Sequence, residues 1–80
     1  MIQRITFGSN YLFTNKSDNG RRNPSAIAAN VVQTNLMYLK NEDTISITKK
    51  QDGYGIEVPN YMDKDIENSC LFSGLKYIKY

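Results

Sequence analysis

The sequence predicts a small α+β domain, a two-layer sandwich in which an antiparallel sheet carries two helices on one face. Three observations predict it. Good helix formers follow a capping signal at Asn23-Pro24, an alternating hairpin folds near Asp52-Gly53, and the apolar period switches between two and about 3.6 along the 80 residues.

The elements follow in order. From Ile2 to Phe7, Ile5 and Phe7 share one side with Arg4 and Thr6 on the other, the alternation of a half-buried strand. Tyr11 to Phe13 extends or re-enters that sheet after the turn signal Gly8-Ser9-Asn10. Thr14 to Asn23 is polar and reads as a loop longer than the usual connection; such loops are either functional or mobile. Asn23 suits a helix cap and Pro24 the first helical position, opening a helix from about Pro24 to Lys40. Its apolar stripe is read as Ala28, Val32, Leu36 and Leu39, with Val31 alongside.

In Thr44 to Lys49, Ile45 and Ile47 alternate with hydroxyl side chains. Asp52-Gly53 tolerates the positive φ angles of a type I′ turn, and folding about those two residues sets Ile47 opposite Val58 and Lys49 opposite Ile56. Pro59 and Asn60 close the hairpin. Asp63 is placed to cap a shorter helix containing Ile66, Cys70 and Leu71, with Gly74 as its terminator. A last alternating run, Leu75 to Tyr80, reads as a strand. The order is βαββαβ over a single domain, residues 1–80, which is that of the ferredoxin-like split βαβ sandwich and leaves one sheet face open.

Composition narrows the chemistry. There is no histidine, so the commonest general base and the Ser-His and Cys-His nucleophile pairs are missing. Cys70 is the one cysteine: it cannot form an internal disulfide or a thiolate-imidazole zinc site, and it reads as a small buried apolar residue. Asp63, Asp65 and Glu67 alternate, which on a helix denies adjacent members a common face; capping and the helix dipole account for them, and they do not fit a calcium loop. The chain is therefore expected to be no enzyme and to need no metal or cofactor. No run approaches the roughly 20 apolar residues of a membrane span, and Gln3, Arg4, Thr6 and Ser9 interrupt what would be a signal-peptide core. A cytoplasmic protein that does not meet the membrane is the expectation.

Binding surfaces remain. Net charge is only +2, but Arg4, Lys16, Arg21 and Arg22 share the first 22 residues with a single acid, Asp18, while the other acids fall in the second half. Arg21 and Arg22, directly before the first helix, suit a phosphate or carboxylate. Gly53-Tyr54-Gly55 resembles the middle of the aromatic signature on the third strand of RNA-recognition motifs, with Asp52, Ile56 and Glu57 departing from it. That resemblance implies base stacking on the open sheet face. Six tyrosines in so short a chain suit an interface, and Tyr77 and Tyr80 flank a basic terminal strand able to pair with a partner's strand or with a second copy. The expected function is stoichiometric binding to a larger protein as inhibitor, adaptor or regulator, through Arg21, Arg22, Tyr54, Tyr77 and Tyr80. Single-stranded nucleic-acid binding on the open face is the alternative. A composition rich in Asn, Ile, Lys and Tyr suits an A+T-rich coding source such as a low-GC bacterium or its phage.

Overall fold

A computed structural model describes residues 8–80; the strand expected at Ile2 to Phe7 lies outside them. The elements are β1 (Gly8–Thr14), α1 (Pro24–Asn35), β2 (Ser46–Lys50), β3 (Gly53–Pro59), α2 (Asp63–Ser73) and β4 (Ile78–Lys79), with short 3₁₀ turns at Leu36–Tyr38 and Asn60–Met62. Among the described residues all pairings are antiparallel, and the sheet order is β2-β3-β1-β4. The first and third strands thus form the centre and the two βαβ halves interleave, the small α+β sandwich in the order the sequence predicts.

Alternation decides the faces. Tyr11 and Phe13 of β1 pair with Ile56 and Tyr54 of β3, and with Val58 they point toward the helices. Ile27, Ala28 and Val31 of α1, Met62, and Ile66 and Cys70 of α2 meet them, and Leu75 closes one end of the core. Asn10, Leu12, Thr14, Gly55 and Glu57 fall on the opposite, open face.

Three local expectations are corrected. The hairpin turns over Gln51 and Asp52, not Asp52 and Gly53, so Ile47 faces Ile56 and Lys49 faces Tyr54, two places from the predicted register. Neither turn residue has positive φ. Gly53 is needed elsewhere, since a Cβ there would collide with the carbonyl oxygen of Phe13 across the β1–β3 pair. Because the slip is two residues, every side chain keeps its face.

The first helix loses its α geometry at Asn35 instead of continuing to Lys40. The buried Asn35 side chain donates back to the Val31 carbonyl at 2.8 Å and across to Ser69 Oγ of α2 at 3.1 Å. A side chain that competes for the helix's own carbonyl is a reason to stop there. The inward stripe is Ile27, Val31 and Asn35 with Ala28 beside it, which turns Leu36 outward to 49% exposure.

In α2 the cap at Asp63 is not made: Met62 occupies the N-cap position without a side-chain hydrogen bond, and Asp63 begins the helix. Met62, Ile66 and Cys70, four apart, form its buried line, so Leu71 lies 76% exposed. The terminator is as predicted. Gly74 has φ +68°, its N–H reaches the Leu71 carbonyl, and the Leu75 N–H reaches that of Cys70 at 2.8 Å, a Schellman closure that delivers Leu75 to the core.

Candidate functional site

The topology gathers mainly basic residues at one end of the sheet. Thr14, the last residue of β1, pairs with Gly53 beside the hairpin turn, and the Lys76 N–H donates to the Ser17 carbonyl at 2.9 Å just before β4. The 15–23 loop, the hairpin tip and the entry to β4 are thereby brought together. A cleft between loop and hairpin is lined by Asn15, Pro24, Lys49, Lys50 and Tyr54 among others, and a second one, across β1, by Lys16, Lys76 and Tyr77. Lys16, Arg21, Arg22, Lys49, Lys50 and Lys76 all belong to this end.

The loop is built, not slack. Asn19 and Gly20 take positive φ, and successive turns are closed by the Ser17, Gly20 and Arg21 N–H groups on Thr14, Asn15 and Asp18 carbonyls at 3.0–3.1 Å. The buried Ser17 also accepts the Thr14 N–H through its hydroxyl at 2.9 Å. Within it the Arg22 Nε donates to Asp18 at 2.8 Å, which neutralises that acid locally. Among the described residues Lys16, Arg21, Lys49, Lys50 and Lys76 enter no ion pair, and Asp52 at the hairpin tip is the remaining acid of this end.

Around Tyr11 the charges are bound to one another, whereas Lys40, Glu57, Lys64 and Asp65 enter no ion pair among the described residues. The hydroxyl of the fully buried Tyr11 lies 2.8 Å from Glu67 and 3.0 Å from Asp63, donating its one proton into that pair, and Lys79 Nζ donates to the same carboxylates at 3.1 and 3.3 Å while lying over the Tyr11 ring. Asp63 and Glu67 are four apart and do share a helix face, a pairing hidden when the acids are read as an alternating triplet. Burial alone would raise Asp63, but hydrogen bonds from Ser9, Tyr11 and Lys79 outweigh it and hold the carboxyl low. Glu67 is lowered chiefly by Tyr11, then by Lys79. Burial, then the bonds to Glu67 and Asp63, keep Tyr11 protonated far above the phenol range. The network fastens α2 and β4 to the central strand. In the same way the Tyr61 hydroxyl donates to Asp43 at 2.7 Å and accepts the Lys40 N–H at 3.0 Å, pinning the connection after α1.

The residues singled out in the sequence divide. Arg21 is exposed and Arg22 half-buried at the basic end. Tyr54 is at that end too, but its ring is turned to the helix side and packs against the core. Tyr77 is likewise half-buried, edge-on to Tyr11 with centroids 5.4 Å apart. Tyr80 alone of the three is exposed: its hydroxyl lies over Gly55, where a Cβ would meet it, and Lys50 Nζ stands 5.7 Å from its ring centre. The stacking rings implied by the RNA-recognition signature are therefore not displayed by β1 or β3, whose open-face residues from Asn10 to Thr14 and at Gly55 and Glu57 include no aromatic. Burial pushes the Cys70 thiol up to about 11, the Glu67 charge adding to it, so it is inert at neutral pH. No helix among the described residues is long and apolar enough to cross a membrane. Sequence reading missed Lys49, Lys50 and Lys76 as site residues, since only the sheet order brings them beside the arginines.

No family model, no curated protein and no solved structure matches the chain, and its surface has to be read from its own residues.

Proposed function

We propose that the chain is a non-catalytic binding domain that acts stoichiometrically on a larger protein, as inhibitor, adaptor or regulator, by docking an acidic surface of that partner on its basic end. One observation carries this reading: five basic residues from three separate segments, the 15–23 loop, the hairpin and the entry to β4, lie at one end of the sheet and enter no ion pair among the described residues. Keeping like charges together on a small domain opposes compactness and favours an oppositely charged partner. The backbone around them is held by turns and strand pairing, so little ordering accompanies binding.

An acidic protein fits better than single-stranded nucleic acid. Sequence-tolerant binding of single strands relies on a row of rings for base stacking, and the open face offers Tyr80 together with Leu12, Ile78 and the acidic Glu57. The test is fluorescence anisotropy at low salt with two labelled probes of equal charge, a Glu-rich peptide and oligo(dT). Preferential binding of the peptide, lost in a Lys49→Ala, Lys50→Ala, Lys76→Ala variant, is expected; tighter binding of the oligonucleotide would transfer the site to nucleic acid.

A further inference from the structure

The outer surface of the helical layer is the molecule's other unexplained feature. No charged residue occurs between Arg22 and Lys40, so α1 and the turn after it are neutral throughout, although Ser25, Ala26, Ala29, Asn30, Gln33 and Thr34 face solvent. Exposed helix faces of monomeric domains ordinarily carry charge, whereas charge depletion marks the centre of an interface. Apolar groups stand where the neutral face meets α2: Met37 is 78% exposed and Phe72 91%. Scattered single hydrophobes would need no explanation, but these border one groove. It runs between the helices, with Thr34, Met37 and Tyr38 on one wall and Asn68, Ser69 and Phe72 on the other, Asp65 its one charged lining residue. Its volume is about 340 Å³. A cavity of about 150 Å³ already holds a benzene ring.

We infer that this face is covered by a second copy of the chain, in a two-fold dimer in which Phe72 of each protomer enters the interhelical groove of the other. Three features select a copy over an unrelated partner. A two-fold contact sets a patch against itself, so any net charge on it would meet its like; α1, without charge from Asn23 to Leu39, avoids this, and Asp65 is the one charge lining the groove. The projecting ring adjoins the groove it would fill, the self-complementary relation an isologous contact needs. The small side chains of Ala26 and Ala29 let two such faces approach closely. The terminal strand is a poorer self-association edge, because β4 is two residues long and Lys79 is engaged with α2. The inference does not rest on the function assigned to the basic end.

Sedimentation equilibrium of the full chain over a concentration series up to about 1 mM, where even a −4 kcal/mol association is detected, decides the matter. The weight-average mass is expected to rise from 9.2 kDa toward twice that value. Phe72→Asp, and separately Ala29→Arg on the outer face of α1, should each raise the dissociation constant at least tenfold with an unchanged circular dichroism spectrum and unchanged anisotropy of the Glu-rich probe. Two variants guard against one that fails to fold. A monomer mass at every concentration overturns the inference, as does a dimer that both folded variants preserve.

Discussion

The two ends of the sheet handle charge in opposite ways. Where β4 meets α2, Asp63, Glu67 and Lys79 converge on the Tyr11 hydroxyl and hold one another. Where β1 runs into the 15–23 loop, Lys16, Arg21, Lys49, Lys50 and Lys76 enter no ion pair among the described residues, and Arg22 is bound to Asp18. The difference separates two kinds of residue. Charges that satisfy each other beside a buried hydroxyl belong to the folding energy, and on the proposed function the charges held in surplus serve recognition. Substitutions at the first end should therefore alter stability and spare binding, and substitutions at the second should do the reverse.

The largest effect tests the frame both ends share. Phe13→Ala removes a fully buried ring from the central strand and should cost about 3–5 kcal/mol, enough to unfold much of so small a domain in a thermal melt. Tyr11→Phe keeps the ring and deletes the hydroxyl from the two carboxylates. It should cost about 1.5–3 kcal/mol and lower the melting temperature by several degrees per kcal/mol without weakening the acidic probe; a binding loss matching the stability loss would erase the distinction. Gly74→Ala forces a Cβ into the left-handed conformation at φ +68° and should cost about 1–2 kcal/mol, measured by urea denaturation.

Acid sharpens the comparison further. Asp63 and Glu67 titrate lower in the folded chain than in the unfolded one, so their contribution is complete above the ordinary carboxylate range of about 4 and is lost as pH falls through the folded values. The melting temperature should drop below about pH 4, and the drop should shrink in an Asp63→Asn, Glu67→Gln variant. Smallest of all is the stability change in the Lys49, Lys50 and Lys76 triple alanine variant, within about 0.5 kcal/mol per exposed site, although its affinity for the Glu-rich probe should fall at least about tenfold.

Much of this architecture is legible in the residues, and the failures have identifiable causes. Asn23-Pro24 and Gly74 mark helix limits because their backbone chemistry is local. The turn at Gln51-Asp52 was not legible, because Gly53 answers to a carbonyl of β1 that is distant in sequence. Asn35 ends α1 by a bond to its own helix and a second to α2, and only the first is written locally. The same holds for the surface. The arginines of the loop stand out as neighbours, whereas the three lysines join them only through strand order, and Tyr54 looks like a display residue until its pairing with Phe13 turns it inward. The neutral stretch from Asn23 to Leu39 was open to inspection, but as a gap in charge it draws less notice than a cluster.

The division between the two ends is tested most directly by backbone amide shift mapping of the ¹⁵N-labelled chain titrated with the Glu-rich peptide. Shifts concentrated at Lys16, Arg21, Lys49, Lys50 and Lys76, with Tyr11, Asp63, Glu67 and Lys79 unmoved, are the predicted result. Shifts centred on the Tyr11 network, or spread evenly over the surface, would contradict it.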